Sequence, residues 1–121
     1  MTDASEPWPT EIRLNKDKDV LAVSFDDGKS FDFAAEYLRV HSPSAEVQGH
    51  SAAQRVTVGG KKGVRISNLE QVGNYAVKII FDDGHSTGLF TWSYLYELGE
   101  THDKRWAFYV EELSAKGLSR G

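Results

Sequence analysis

The stretch FDDGKS at residues 25–30 returns as FDDGHS at residues 81–86, and this duplication constrains the fold more than any other feature of the chain. Ahead of the first copy, VLAVSF places Leu21, Val23 and Phe25 on one side of an extended strand; ahead of the second, Tyr75, Val77, Ile79 and Phe81 alternate in the same way. Each Asp-Asp-Gly triplet predicts a tight hairpin, because Asp tolerates turn geometry and Gly takes the positive φ of a type I turn plus bulge. The chain then returns through Lys29 to Phe33 and through His85 to Leu89, and a short aromatic helix follows each return, AAEYLRV and TWSYLYEL. An offset of 56 residues superposes the turns, and one further residue superposes Tyr37-Leu38 on Tyr94-Leu95. A unit of strand, tight turn, strand and helix is therefore used twice.

The remaining segments extend this plan. EIRLN (residues 11–15) and VRISNLEQV (residues 64–72) read as additional strands, with the polar KDKD turn after the first. Thr91 is positioned as an N-cap, Phe90 and Leu95 as a hydrophobic staple, and Gly99 as the stop of the second helix. A last helix from near Thr101 to Gly117 spaces Trp106, Tyr109, Val110 and Leu113 as a buried stripe and leaves Phe108 on the opposite face, a candidate homodimer or partner contact. The expected fold is α+β: an antiparallel sheet built from a repeated hairpin-helix unit, with helices on one face in a two-layer sandwich. Trp92, Tyr94, Tyr37 and Leu38 are expected to fill the core. Residues 1–10 are expected to form a flexible N-terminal segment, 11–99 the domain, and 100–121 its C-terminal helix and tail.

At 121 residues, 40% hydrophobic and 26% charged, the chain fits one domain with a modest core. It has no cysteine, which excludes disulfides, thiolate metal sites and thiol nucleophiles. A net charge of −4 argues against nucleic acid as a partner. The opening residues lack a leader-like pattern and no apolar run could cross a bilayer, so the expectation is a cytoplasmic protein without a membrane partner. The one basic patch, Arg55, Lys61, Lys62 and Arg65 in RVTVGGKKGVR, departs from the P-loop pattern; a solvated hairpin loop is favoured over an anion-binding loop.

Chemistry-bearing residues gather between the two units, in YLRVHSPSAEVQGH (residues 37–50). A metal site would require two of His41, His50, His85 and His102 to converge with Glu46 or an aspartate; no HExxH spacing supports it, and surface or capping roles are favoured. A pairing of Ser42 or Ser44 with His41 or His85 has no nucleophile elbow behind it. The DDG carboxylates read as turn chemistry, exposed and with ordinary pKa values.

The segments WPTEIRL, FDDGKSFDFAAEYLRVHSPSAEVQGH and VGNYAVKIIFDDGHSTGLFTWSYLYEL resemble the DUF971 family, the small domain of unknown function at the N-terminus of gamma-butyrobetaine hydroxylase and its relatives, over about residues 8–99. Similar bacterial domains stand alone, and others are appended to Mrp-type P-loop ATPases that carry iron–sulfur clusters. In the hydroxylases the resemblance implies a structural zinc bound by three cysteines and a histidine. Those positions fall on Ser42, Ser44, Val47 and His85, so only His85 matches and no metal is carried over. The iron and 2-oxoglutarate site belongs to a catalytic domain without counterpart here, so an enzyme is not expected and no cofactor is implied. The function expected on these grounds is that of a non-enzymatic protein-interaction module, with a link to iron–sulfur or metal-cofactor assembly and an unidentified protein partner. Arg39, His41, Ser42, Ser44, Glu46, His50 and His85 are its candidate binding residues. The alternative is a metal- or small-ligand-binding module using histidines and carboxylates.

Overall fold

The computed structural model describes residues 7–43, 57–86 and 88–121. Its elements are β1 (Pro9–Leu14), β2 (Val20–Phe25), β3 (Ser30–Ala34), α1 (Ala35–Val40), β4 (Ile66–Val72), β5 (Ala76–Phe81), β6 (Leu89–Thr91), α2 (Trp92–Glu100) and α3 (His102–Ala115). The strands form two open three-stranded antiparallel sheets, ordered β1-β2-β3 and β4-β5-β6, and with the helices they make an α+β fold. A bond from Ile66 N–H to Lys18 O (2.8 Å) ties the sheets together.

The duplication extends to individual atoms. Gly28 and Gly84 sit at φ +91° and +92°, each donating to the phenylalanine three residues earlier. Asp27 and Asp83 each accept the N–H two residues ahead (3.0 and 3.1 Å). Asp26 exchanges two bonds with Trp8, and Asp82 exchanges the same two with Arg65. That clamp starts β1 at Pro9, earlier than the alternation of EIRLN suggests, and the register shifts beyond it fall at matching places in β1 and β4. The repeated unit is thus three strands and a helix.

Neither unit closes on itself. Tyr37 in α1 donates its hydroxyl to Leu98 O near the end of α2 (2.7 Å), while Tyr94, its counterpart in α2, donates to His41 O at the end of α1 (2.6 Å). Each helix satisfies a C-terminal carbonyl of the other, groups that a helix cannot satisfy internally. Leu21, Val23, Phe25, Phe33, Tyr37 and Leu38 of the first unit share one buried cluster with Ile66, Val77, Ile79, Phe81, Phe90 and Leu95 of the second. Trp92 is also buried there and Tyr94 partly so, which meets the core expectation.

Some local expectations change. Thr91 caps α2, accepting from Tyr94 N–H (3.1 Å), but Gly99 does not stop that helix, which continues to Glu100. Gly99 is required by packing, because the Phe31 ring occupies the place of its missing β-carbon. The returning strand β6 is only Leu89–Thr91. Val110 is exposed rather than part of the buried stripe: α3 packs through Tyr109 and Leu113 onto Val40, with Trp106 and Val58 partly buried beside them. Phe108 is exposed, as its face predicts.

Candidate functional site

The two hairpins occupy equivalent positions, so the residues each meets can be compared directly. Asp27 at the first tip accepts from Tyr96 Oη of α2 (2.6 Å), and Lys29 pairs with Glu100 (2.6 Å). At the second tip, Asp83 meets Arg39 of α1, which stands in the same helix position as Tyr96; Arg39 Nε donates to Asp83 Oδ2 at 2.8 Å. Lys61 Nζ donates to the same oxygen at 2.6 Å, and the N–H of His85 occupies Oδ1. The Asp83 side chain is 20% exposed and that of Arg39 11%, a partly dry double ion pair where the first hairpin has the single solvated pair Lys29–Glu100.

This environment decides the titration of Asp83. Burial pushes its carboxyl up, but hydrogen bonds from Lys61, the His85 N–H and Arg39 outweigh burial and hold it at about 2. The reading of both DDG triplets as ordinary wet carboxylates is therefore corrected for Asp83, since Arg39 and Lys61 both reach it. Asp27 is also lowered, chiefly by the Tyr96 hydroxyl, at an open site.

Behind Asp83 the hairpin turns inward. His85 is buried, and its Nε2 lies 2.9 Å from Ser42 Oγ, itself fully buried. Gly88 makes this approach possible, because a β-carbon there would overlap Ser42 Oγ. Next to Ser42, His41 caps α1 with its Nδ1 2.9 Å from Tyr37 O and its ring against Tyr37. The capping role holds for His41, whereas the expected surface placement does not hold for His41 or His85, because both rings are packed between aromatic and main-chain groups of the fold. His102 lies against the Tyr37 ring instead, at 4.5 Å between centroids.

The structure thus joins Arg39, Ser42 and His85 of the predicted site, with His41 adjoining them. Ser44, Glu46, Val47, His50 and Arg55 lie outside the described residues. Sequence reasoning missed Lys61 and Asp83; the signal lay in the repeat, where Arg39 replaces Tyr96 and His85 replaces Lys29 at equivalent positions. The GGKKG segment is also pinned rather than merely solvated: Lys61 binds Asp83, and the N–H groups of Gly60 and Lys62 bond to Ser119 O and Arg120 O.

Known proteins share this architecture. The family described as gamma-butyrobetaine hydroxylase-like, N-terminal, matches residues 12–96. This chain belongs to that family. Two solution NMR structures resemble it along nearly the whole chain, one at 47% identity and TM-score 0.82 (96% of this chain, 91% of the other), one at 45% and 0.81 (99% and 90%). A crystal structure from Acidithiobacillus ferrooxidans, of a protein of unknown function in the DUF971 family, is 36% identical with TM-score 0.62, covering 75% of this chain and 91% of that one. No curated protein matches.

Against the family resemblance, the donor set here does not fit the hydroxylases' zinc. Ser42 and His85 are adjacent, as two ligand positions should be, but a neutral hydroxyl replaces a thiolate and hydrogen-bonds the imidazole nitrogen. Among the described residues no three His, Asp or Glu side chains are grouped to hold a metal ion. None of their helices is long and apolar enough to cross a membrane.

Proposed function

We propose that this chain is a non-enzymatic accessory module that presents the segment between its two units to a protein partner, with the second hairpin as the rigid support. The supporting observation is the Asp83 cluster. Both carboxylate oxygens are engaged by cations or main chain, and its low pKa makes the group a poor general base at neutral pH. Such a cluster holds chain segments together instead of moving protons. It fastens Arg39 at the exit of α1 and Lys61 ahead of β4, the two flanks of residues 44–56. The partner class we favour is a component of iron–sulfur or metal-cofactor assembly, as the resemblance to ATPase-fused domains implies.

The test leaves the buried supports intact. Ser44→Ala, Glu46→Ala and His50→Ala combined in one variant should fold as the parent does and lose a partner that the parent captures from bacterial extract and that binds again when purified. Equal capture by both proteins would overturn the reading. In parallel, titration with Zn²⁺ or Fe²⁺ at micromolar concentration should leave the His41 and His85 imidazole signals unmoved; saturable shifts of both would favour the metal-binding alternative.

A further inference from the structure

Beyond the second hairpin, the segment following α3 folds back on the molecule in a manner that resembles a bound peptide. Gly117, at φ +68°, ends α3, and Leu118 N–H closes the turn on Leu113 O (2.8 Å). The next residues lie along the glycine-lysine segment, where Ser119 O accepts from Gly60 N–H (2.9 Å) and Arg120 O from Lys62 N–H (2.8 Å). Gly59 permits the approach, because a β-carbon there would lie 2.9 Å from Ser119 O. Arg120 then reaches Glu36 of α1 and Trp106 of α3. Its Nη2 and Nε donate to the two carboxylate oxygens of Glu36 at 2.8 and 3.0 Å, and its guanidinium lies 5.1 Å from the centre of the Trp106 ring.

Three recognition modes therefore converge on one residue: a bidentate carboxylate fork, an aromatic face and flanking main-chain donors. The asymmetry of exposure is informative. Glu36 is buried, at 5% exposure, and so needs a cation, whereas the Arg120 side chain is 42% exposed. Glu36 and Trp106 belong to the helices, and Arg120 follows them across the left-handed Gly117.

We propose that Glu36, Trp106 and the main chain of Gly60–Lys62 form a recognition site for an extended arginine-bearing peptide of a partner protein, occupied in cis by Leu118–Arg120 of this chain. The cis segment competes with the partner, so engagement requires displacement at Gly117. Charge complementarity argues for this occupant, because a buried carboxylate selects a cation and its fork geometry selects Arg over Lys.

The experiment uses a chain shortened after Gly117 and the synthetic peptide GLSRG, observed by NMR. The peptide should produce saturable shifts of the Gly60 and Lys62 amides and the Trp106 indole, with at least tenfold weaker binding to the full chain. Replacing the peptide arginine by lysine, or Glu36 by Gln in the shortened chain, should weaken binding at least tenfold. A folded shortened chain that ignores the peptide, or equal binding to both chains, would overturn the proposal. Should shortening prevent folding, the full chain carrying Arg120→Ala serves in its place, and absence of shifts there overturns it equally. The readout needs no cellular partner, so its failure is distinct from failure of the loop-presentation reading.

Discussion

The two hairpins share a backbone, yet they solve opposite problems with it. The first is wet: Asp27 and Lys29 reach Tyr96 and Glu100 across the surface, and Phe31 presses on Gly99. The second is partly dry: Asp83 gathers Arg39 and Lys61, His85 meets Ser42, and Gly88 stands where the first unit has Phe31. The large and small partners have changed sides, since Gly99 occupies the helix position of Ser42. A duplicated unit thus keeps its turn chemistry and exchanges its contacts, and the second exchange gathers Arg39 and Lys61 on one carboxylate.

The comparison is most exposed at the two aspartates. Asp83→Ala should lower unfolding free energy by about 3 kcal/mol, because Arg39 is left in a mostly dry site without its carboxylate. Asp27→Ala should cost distinctly less than Asp83→Ala, because its contacts are solvated. Urea denaturation of both variants decides it; equal losses would mean that the hairpins differ in appearance only.

The next contrast concerns packing. Gly88→Ala should destabilise by about 2 kcal/mol through collision with Ser42, and adding Ser42→Ala should recover part of that loss, a non-additivity visible in a double-mutant cycle. Simple addition of the two effects would separate Gly88 from Ser42 energetically.

Acid sharpens the comparison further. The folded Asp83 carboxyl titrates at about 2, below its ordinary 3.8, so its stabilisation is fully present above pH 4 and is lost as pH falls from about 4 through 2. The loss attributable to this group is about 2 kcal/mol. Stability curves of the parent and Asp83→Asn should converge across that interval, whereas parallel curves would remove Asp83 as the cause.

The smallest effects test what the units still share. Tyr37→Phe and Tyr94→Phe each remove one hydroxyl bond to a helix-terminal carbonyl, and each should cost about 1 kcal/mol. Unequal losses would show that the reciprocal helix contacts have also diverged.

Much of this was legible in the residues. The doubled FDDG, the alternation before it and the aromatic helices after it determined the hairpins, the α+β class and most of the core, because turn geometry and side-chain periodicity are local properties. Arg39, Ser42 and His85 were identifiable as candidates from the inter-unit segment and the family resemblance. Only the tertiary structure decided that the strands divide into two sheets, that each unit's hairpin packs on the other's helix, and that Asp83 is held at about 2. Those outcomes depend on which distant segments bring donors and cations to a given side chain. Two identical turns carry no record of that, and cations 22 and 44 positions away give one of them a different electrostatic life.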